Sequence, residues 1–395
     1  MKVLLVHNNY IPVGGAEVFF HETNRVLKKN NIKTALFSTY EEKQNIDSKW
    51  KSYFVKIKNH KKNLFHSLFN IREIIYSRDS KKKFQKLIND FQPDVVHIFA
   101  IYLRITPSIL EVCRKKNIPV IMSCNDYKHL TPEYKLYPFK KRRLFFNINF
   151  LTNLSAKIGN YIDFYFHKIM KTYDRGISLY LFASNFMANE TERRWKNKSY
   201  KWDILRNPYN SKKNTPNYSN EDYCLYFGRL SDEKGVDVLI KAIKISSHCK
   251  LKIVGDGPYK KYLEKLSSKN DNKIEFLGEV WGNELERIIK NSKFIVCPSI
   301  WHENFPYVII QSQSFGKAVI GSNVGGIPEL VDHNISGFIY QYDNYKILSN
   351  YMDKLWIDNE LVIKMGKNAK KSADNEFNDD IFFEKLISIY KKYKK

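Results

Sequence analysis

Two cations stand at the start of a glycine-containing loop that follows an apolar run in the C-terminal half. The segment YFGRLSDEKG places Arg229 and Lys234 between Gly228 and Gly235. A helix is predicted to begin near Gly235, so free backbone N–H groups should lie beside both cations. Arginine binds phosphate oxygens through a fork of donors, and lysine supplies a compact positive charge. The loop therefore predicts a diphosphate site, the alternative being a solvated turn with two surface cations.

Two later loops also carry polar groups after apolar runs. VGDGP contains Gly255, Asp256 and Gly257 and reads as a second glycine loop between a strand and a helix, although these residues also make a good turn. WHENFPYVIIQ places Glu303 and Gln311 eight positions apart, about 2.2 turns of a predicted helix. Both are then expected near one face, with Glu303 at the positive helix start, where an isolated glutamate is more often a dipole partner than a ligand-binding group.

These loops belong to a series of short apolar strands that alternate with helical patterns along the chain. The predicted strands are KVLLVH, IKTALFS, PDVVHIFA, IPVIMSC, SLYLFAS, DYCLYFG, KLKIVG, NKIEFLG, KFIVCPS, KAVIGS and GFIY. Such alternation predicts parallel sheets, and its restart after a pause predicts two doubly wound α/β domains. Ligands bind such domains at the carboxyl ends of the strands, so we expect a site made by post-strand loops in a cleft between two facing sheets.

The pause lies in the polar stretch SKKNTPNYSNED, which we interpret as a linker. The predicted divisions are an N-terminal domain over 1–207, a C-terminal domain over 208–376 and a final helix over 377–395. That helix has one apolar face and could pack on either domain, including back onto the N-terminal one. Its apolar positions are Ile381, Phe382, Leu386, Ile389 and Tyr390.

In the order and spacing of its loops the sequence resembles the retaining family 4 glycosyltransferases (glycosyl transferases group 1), most strongly from about Tyr223 to Tyr340. GRLSDEKGVDVLIKA resembles the family's diphosphate loop, VGDGP its second donor loop, and PSIWHENFPYVIIQSQSFGKAVIGSNVGGIPELV its donor-sugar block. The resemblance covers nearly the whole chain and implies the GT-B fold, in which two Rossmann-like domains face each other across a cleft. It assigns acceptor binding to the N-terminal domain and nucleotide-sugar binding to the C-terminal one.

The resemblance also implies roles for individual residues at the donor site. Arg229 and Lys234 would hold the nucleotide diphosphate and stabilise its leaving charge, which in retaining transfer departs on the face that the acceptor attacks. Glu303 would accept hydrogen bonds from the donor sugar. Gln311 stands where the family usually has a second glutamate that holds the ribose, and an amide keeps the acceptor oxygen without the charge. The other implied donor-binding residues are Gly14, Gly15, Gly228, Gly255, Asp256, Gly257, Val280, Trp281, Asn304, Phe305 and Pro306.

On the acceptor side the resemblance points to SCNDYKHL, where many members have His-Asp and this chain has Asn125 and Asp126. Asp126 is implied to orient the acceptor hydroxyl, and the alternative is an aspartate that caps a turn after a strand. No cofactor is expected, because the nucleotide sugar is a substrate. No metal ion is expected either, since no Asp-x-Asp motif follows a predicted strand.

Positive charge is concentrated in the N-terminal half. Residues 1–210 hold 38 Lys and Arg against 17 Asp and Glu, whereas residues 211–395 hold 28 against 24. This imbalance indicates an anionic partner or, alternatively, a merely solvated basic surface. A run of four cations precedes apolar residues spaced three or four apart as far as Ile169, a strongly amphipathic helix that could lie on an anionic membrane or pack as core. The four cations are Lys140, Lys141, Arg142 and Arg143.

Composition restricts the class of protein. At 43% hydrophobic and 15% aromatic residues the chain is globular and not disordered. No apolar run reaches the roughly 18 residues of a membrane span and no signal peptide is recognised, so we expect a cytoplasmic protein, peripheral on the inner face of the cell membrane. The five cysteines are scattered, which predicts reduced core thiols and neither disulfides nor a zinc site.

Together these features predict transfer of a hexose from a nucleotide sugar to a glycan, expected to be lipid-linked, in the synthesis of a surface polysaccharide such as lipopolysaccharide or capsule. One alternative is a basic protein that binds nucleic acid, against which stands the absence of any nucleic-acid motif. The other is a membrane-binding protein with a weak or inactive transferase fold, which Gln311 and Asn125 keep open.

Overall fold

The computed structural model describes residues 1–12, 14–42, 46–57, 73, 75–138, 150–195, 200–219, 221–267 and 272–394, and for 150–156 the backbone alone. The described residues form two compact units. Those of Met1–Leu136, Lys141–Pro208 and Phe382–Lys395 make up the first, and those of Tyr137–Lys140 and Tyr209–Ile381 the second. The division between the sheets therefore follows Pro208, and the last helix belongs to the first unit.

The first unit is a doubly wound α/β layer structure. Its strands are β1 (Lys2–Asn9), β2 (Lys33–Tyr40), β3 (Val55–Lys56), β4 (Val95–Ala100), β5 (Val120–Cys124), β6 (Leu179–Phe182) and β7 (Trp202–Ile204). Its helices, the last one aside, are α1 (Gly15–Lys29), α2 (Arg78–Phe91), α3 (Ser108–Lys115), α4 (Phe150–Ile169), α5 (Thr172–Gly176) and α6 (Asn185–Arg194). The sheet order is β3-β2-β1-β4-β5-β6-β7, with parallel pairing throughout the described strands. Strand β1 is apolar and fully buried from Val3 to Val6, as expected for a parallel strand covered on both faces.

The second unit repeats this architecture. Its strands are β8 (Cys224–Phe227), β9 (Leu251–Val254), β10 (Ile274–Gly278), β11 (Ile295–Cys297), β12 (Val319–Ser322) and β13 (Gly337–Tyr340). Its helices are α7 (Val236–Ile245), α8 (Lys260–Ser267), α9 (Gly282–Asn291), α10 (Tyr307–Ser314), α11 (Tyr345–Ile357) and α12 (Asn359–Glu376). The sheet order is β10-β9-β8-β11-β12-β13, again parallel in the described strands. The described residues of the two units also contain five short 3₁₀ turns: Lys51–Tyr53, Tyr127–His129, Ser211–Lys213, Asp232–Lys234 and Ile327–Glu329.

The last helix, α13 (Asp379–Tyr393), packs into the core of the first unit through Phe382, Leu386, Ile389 and Tyr390. Ile381, predicted on the same apolar face, is 45% exposed. The Tyr390 hydroxyl lies 2.7 Å from Nδ1 of the buried His97, whose Nε2 is 2.8 Å from the Ser123 hydroxyl. Burial lowers the pKa of His97 to about 3, so a neutral imidazole joins this helix to β4 and β5.

All the predicted strands are present, and the five cysteines are free and buried as expected. The sequence analysis missed the edge strands β3 and β7, because two or three residues are too few to show a pattern. It also missed α2, in which a highly charged sequence shows apolar residues only where Phe84, Leu87, Ile88 and Phe91 face the core.

The described part of the predicted amphipathic helix is α4. In a helix that packs on a core the apolar residues are buried, whereas α4 exposes apolar residues and buries polar ones. Ile158, Phe166 and Ile169 are 48%, 41% and 77% exposed, whereas Asp163 and His167 are only 7% and 3% exposed. The interpretation of this apolar stripe as core is therefore wrong for these residues. The four cations Lys140 to Arg143 lie outside the described residues. Within the described part of the chain, no helix combines the length and apolar character that crossing a bilayer requires.

Candidate active site

The loops that carry the predicted chemistry of the second unit lie at the carboxyl ends of β8, β9, β11 and β12. Strand β8 leads on one side to β9 and β10 and borders β11 on the other, so the strand order reverses between β8 and β11. Such a reversal splays the two outgoing loops and leaves a crevice where doubly wound sheets bind ligands. Lys234 follows β8 and Glu303 follows β11, which places both at this crevice.

The Glu303 carboxylate is the centre of a hydrogen-bonded cluster. One oxygen, Oε1, accepts bonds from Lys234 Nζ at 2.7 Å, Ser299 Oγ at 2.7 Å and Trp301 Nε1 at 2.9 Å. The Glu303 residue is 5% exposed. Its second oxygen, Oε2, accepts no hydrogen bond from the described residues. One oxygen is thus fully engaged in holding the side chain, and the other is left for a ligand.

The ion pair keeps Lys234 charged. Burial alone would lower the pKa of its ammonium group, but the charge and the hydrogen bond of Glu303 outweigh this effect and raise that pKa above its ordinary value. The ammonium also lies 5.6 Å from the centre of the Trp301 ring, within range of a cation–π attraction. At neutral pH the crevice therefore holds a positive charge beside a partly unbonded carboxylate.

Close backbone packing fixes these loops against one another. Gly235 has a φ of 66°, and a Cβ there would lie 2.0 Å from the carbonyl oxygen of Pro298. Gly325 has a φ of 56°, and a Cβ there would lie 2.0 Å from the carbonyl oxygen of Glu303. Only glycine fits at either position, because a side chain would be both strained and in collision. The Gly326 N–H also donates to the Glu303 carbonyl at 2.8 Å, so the glutamate is held from both sides.

Arg229 and the second glycine loop adjoin this cluster in the chain. The Arg229 side chain is exposed and has neither a hydrogen bond nor an ion pair among the described residues. The Leu230 N–H donates to the Asp256 carbonyl at 2.9 Å, so the loops that contain Gly228 and Gly255–Gly257 are neighbours. The exposed Asp256 accepts from the Gly257 N–H and from Lys260, which lowers the pKa of Asp256.

One part of the predicted geometry is wrong. Glu303 and Gln311 do not share a helix, because α10 begins only at Tyr307 and Glu303 lies in the loop before it. Pro306 is the N-cap of α10 and its backbone is extended, so the helix begins after it and does not include Glu303. Gln311 is partly buried within α10, and its side chain has no hydrogen bond in the described part of the chain.

The remaining predicted donor-binding residues of this unit are spread around the crevice loops. Asn304 and Phe305 are buried directly after Glu303, and the Phe305 ring packs 5.8 Å from that of Phe377. Trp281 is 72% exposed at the start of α9, and Val280 before it is partly exposed. Within the described residues Trp281 makes no hydrogen bond or ring contact with the Glu303 cluster, so its place beside a base stays a prediction.

In the first unit the glycine loop after β1 is held by a buried acid that the sequence analysis missed. Glu17 is 7% exposed, and its Oε2 accepts from the N–H of Gly14 at 3.0 Å. Its Oε1 accepts from Asn9 Nδ2 at 2.9 Å, and the Asn9 side-chain oxygen accepts from Arg104 at 2.5 Å. Gly15 is the first residue of α1. The available signal was a glutamate three positions after the residue that caps the helix, because a capping box has Glu or Gln at that position.

Asp126 occupies the capping position that the sequence analysis gave as the alternative to an acceptor-orienting role. Its Oδ1 accepts from the Lys128 N–H at 2.9 Å, at the start of the 3₁₀ turn Tyr127–His129. Burial raises the pKa of this carboxyl group. The neighbouring Asn125 donates to the Phe99 carbonyl at 3.3 Å. The cap accounts for one carboxylate oxygen, and the acceptor role of Asp126 stays a prediction.

Three further site residues were not singled out from the sequence. Ser299 and Trp301 hold Glu303, and His302 Nδ1 accepts from the Gly325 N–H at 3.1 Å. Their closeness in the chain to Glu303 was the only available signal. In the described ranges no group of three or more His, Cys, Asp or Glu side chains is arranged to hold a metal ion.

Comparison with known proteins gives consistent matches. Residues 209–372 match the family model of glycosyl transferases group 1. The uncharacterized glycosyltransferase MJ1607 of Methanocaldococcus jannaschii is 30% identical over 44% of this chain and 45% of its own length. The capsular polysaccharide biosynthesis glycosyltransferase CapM of Staphylococcus aureus is 27% identical over 45% of this chain and 48% of its own. The chain thus aligns with about half the length of the first curated relatives it matches.

Other likenesses extend over the whole chain. An uncharacterized 42.6 kDa protein in the cps region of Klebsiella pneumoniae is 25% identical over 99% of this chain and 100% of its own length. Among solved structures, Anabaena Alr3699/HepE in complex with UDP and glucose superposes with a TM-score of 0.69 at 17% identity, over 99% of this chain and 100% of that one. The structural likeness shows the fold, which is GT-B as the sequence resemblance implied.

Proposed function

Because residues 209–372 match the family model of glycosyl transferases group 1, we propose that this protein is a glycosyltransferase that moves a sugar from a nucleotide-sugar donor to a glycan acceptor. The observation that carries the proposal is the state of Glu303. Three donors hold its Oε1, and its Oε2 accepts nothing from the described residues. A carboxylate oxygen without a protein donor is stabilised by hydroxyl donors, and a sugar ring supplies them at fixed spacing.

Charge on the leaving nucleotide would be stabilised by the two cations after β8. The Lys234 ammonium is held in place by Glu303, whereas the Arg229 guanidinium is unengaged in the described part of the chain and can close on phosphate oxygens. The positive N-terminal end of α10 starts directly after Asn304–Pro306 and adds to the same field. Held charges of this kind act on the group that departs, where negative charge grows during transfer.

We further propose a retaining transfer without a metal ion. Both features come from the resemblance to family 4 enzymes. The supporting argument is that two cations and a helix start can neutralise a diphosphate by themselves. In this scheme Glu303 anchors the donor sugar and is not a nucleophile, since its Oε1 is committed to three donors. Asp126 would orient the attacking hydroxyl through the carboxylate oxygen that the cap leaves unused.

The acceptor class we propose is a lipid-linked glycan in surface polysaccharide synthesis, met on the cytoplasmic face of the membrane. One support is the relative CapM of S. aureus, which is a capsular polysaccharide biosynthesis glycosyltransferase. The other support is the outer face of α4. That face exposes Ile158, Tyr161, Tyr165 and Ile169 at helical spacing. An exposed apolar and aromatic stripe beside a basic run is typical of a helix that lies in a membrane interface.

Donor binding is tested with UDP and UDP-glucose in a thermal-shift titration, followed by transfer assays with radiolabelled sugar. Both ligands should raise the melting temperature, since a ligand at 100 times its dissociation constant adds about 2.7 kcal/mol of stability. In Glu303→Gln, binding of UDP should persist while the extra stabilisation by UDP-glucose falls. The matched control is Lys290→Ala, a partly exposed cation in the last turn of α9. If no member of a panel of nucleotide sugars shifts the melting temperature, the proposed activity is wrong.

Membrane docking is tested by vesicle sedimentation. The quadruple variant Lys140, Lys141, Arg142, Arg143→Ala should lose up to about 4 kcal/mol of affinity for anionic vesicles, at about 1 kcal/mol for each cation. A second variant, Ile158→Ser with Ile169→Ser, should weaken binding at high salt as well, because apolar insertion is not screened. Binding that ignores lipid charge, salt and both variants would exclude this surface as the docking site.

A further inference from the structure

A cavity of about 320 Å³ lies within the first unit, and none of its lining residues belongs to the site predicted from the sequence. It is bounded by the 3₁₀ turn Tyr127–His129 and the residues after it, by the inner face of α4, and by residues of α5, β6 and α6. Its volume is at the lower end of the range of about 300–1,000 Å³ typical of small-molecule sites. The cavity therefore has room for a small ring but not for a nucleotide sugar.

Three polar atoms in the cavity wall lack a hydrogen-bond partner, although His167 is bonded to Thr172 through its other ring nitrogen. Asp163 Oδ1, His167 Nε2 and the Tyr173 hydroxyl are buried and have no hydrogen-bond partner among the described residues. Asp163 and His167 are 7% and 3% exposed, and their facing atoms lie 3.4 Å apart without forming a hydrogen bond. Buried polar groups are nearly always bonded, so three orphans around one cavity indicate a ligand that bonds them.

Aromatic rings form one part of the remaining wall, and polar and charged side chains form the rest. Tyr180 and Tyr200 pack against Trp195 with ring centres 5.0 Å and 4.0 Å apart, and Phe164 lines the α4 side. Aromatic rings of this kind bind the C–H faces of a ligand and leave its polar edge to other groups. The ligand thus needs an apolar face together with an edge of groups that both donate and accept hydrogen bonds.

A neutral sugar ring satisfies both requirements. Its hydroxyls can donate to the Asp163 carboxylate and can donate to or accept from His167 and Tyr173. An apolar ligand would leave all three groups unbonded, which is costly in a buried site. The lining charges nearly balance, which suits a neutral ligand better than a phosphate or a uronate. They are Lys128, Lys168 and Arg194 against Asp163 and Asp174.

The cavity borders the predicted acceptor-orienting residue. Lys128 and His129 line it, and both bond Asp126: the Lys128 N–H donates to Oδ1 at 2.9 Å, and His129 Nδ1–H donates to the carbonyl at 3.0 Å. After burial, which is the main cause, the charge of Asp126 contributes to raising the pKa of two lining phenols, Tyr102 and Tyr173. Asp126 therefore lies within electrostatic reach of whatever fills the cavity.

We propose that this cavity binds a neutral sugar residue of the acceptor glycan, with Asp163, His167 and Tyr173 bonding its hydroxyls. The identification of that sugar as part of the acceptor rests on the proposed transferase function, whereas the binding of a sugar does not. The inverted character of α4 follows from this role, because its inner face carries the ligand-binding groups and its apolar residues face outward.

The test is saturation-transfer NMR and calorimetry with the methyl glycosides of glucose, galactose, mannose and N-acetylglucosamine, on the full chain without nucleotide. At least one glycoside should bind. Asp163→Asn should weaken that binding about tenfold or more, and Tyr173→Phe about five- to tenfold, as expected for single hydrogen bonds to charged and neutral groups. The control is Lys157→Gln, an exposed residue of the same helix that does not line the cavity, and it should bind as the wild type does.

Melting temperatures separate a binding role from a structural one. Tyr173→Phe removes a hydroxyl that is unbonded in the free protein, so the melting temperature should stay the same or rise while sugar affinity falls. A lower melting temperature with unchanged affinity overturns the proposal, as does the absence of binding by every glycoside or tighter binding of methyl glucuronide. Titrations of the same variants with the panel of nucleotide sugars keep the two hypotheses apart. Glycoside binding without binding of any nucleotide sugar would contradict only the transferase function, and nucleotide-sugar binding without glycoside binding would contradict only the sugar cavity.

Discussion

Replacement of Lys234 by methionine should destabilise the second unit as well as weaken ligand binding. The change keeps most of the side-chain volume over Trp301 but removes the ammonium that donates to Glu303 at 2.7 Å. The side chain of Glu303 is 7% exposed and that of Lys234 is 27% exposed. Loss of a hydrogen bond to a charged group costs about 1.5–3 kcal/mol, and loss of one partner of a fully buried pair about 3–5 kcal/mol. Because water can reach the Lys234 position, we expect about 2–3 kcal/mol.

A double-mutant cycle isolates the pair from other effects of the substitution. In Lys234→Met with Glu303→Gln, the amide oxygen still accepts from Ser299 and Trp301, and no unpaired charge remains. The double variant should therefore be about 1–2 kcal/mol more stable than the sum of the single variants predicts. Urea unfolding at pH 7, followed by circular dichroism and tryptophan fluorescence, measures each corner of the cycle.

The control for this cycle is Lys290→Met, which removes a partly exposed cation 3.9 Å from the partly exposed Glu286 on α9. Surface pairs contribute about 0–1 kcal/mol, so this variant should stay close to the wild type. If Lys234→Met is no less stable than Lys290→Met and the cycle shows no coupling, solvent screens the Lys234–Glu303 pair and the argument from burial is refuted. A loss of stability without at least a tenfold loss of UDP affinity would make Lys234 a structural residue alone.

Three other predictions concern the same site and the first unit. Arg229→Ala should leave the unfolding free energy within about 0.5 kcal/mol of the wild type, since the side chain is exposed, while calorimetry shows UDP affinity about tenfold lower; unchanged affinity would remove Arg229 from the diphosphate site. Gln311→Glu should preserve or improve UDP binding, because a carboxylate can accept both ribose hydroxyls, and a loss beyond tenfold would show that the site is built around the amide. Burial lowers the pKa of His97 and of His129 from 6.5 to about 3, so between these values the unfolded chain binds protons that the folded chain does not. Urea titrations at pH 7, 6 and 5 should then show the unfolding free energy falling by about 1.4 kcal/mol per pH unit for each histidine below pH 6.5, with His97→Gln showing the smaller slope; a flat profile or greater stability in acid would contradict this.

Much of the candidate site could be located from the sequence because it follows strands. Arg229, Lys234 and Glu303 each come directly after a buried apolar run, and in a parallel sheet every such loop emerges at the same edge. The error at Gln311 has a local cause, because the predicted helix was extended back through Pro306. The backbone of Pro306 is extended, so the loop continues to this residue and the helix begins after it. The role of Glu17 was missed because its partners are the end of β1 at Asn9 and the loop at Gly14, and no periodicity predicts how these approach α1.

The sequence by itself determined the two parallel sheets, the strands that build them and the loops that carry charge. Short apolar runs that alternate with helices form buried parallel strands, and this pattern can be recognised without knowing which strands are neighbours. Only the tertiary structure decided that Lys234 and Glu303, 69 positions apart, share a hydrogen bond, since strand order and not spacing brings β8 and β11 together. It also decided that α13 packs on the first unit, where a buried hydrogen bond between Tyr390 and His97 joins this helix to β4. The sequence also could not show which face of α4 is buried. An apolar stripe indicates a core-facing helix only when the opposite face meets water, and on α4 the polar residues Asp163 and His167 are buried and line a cavity.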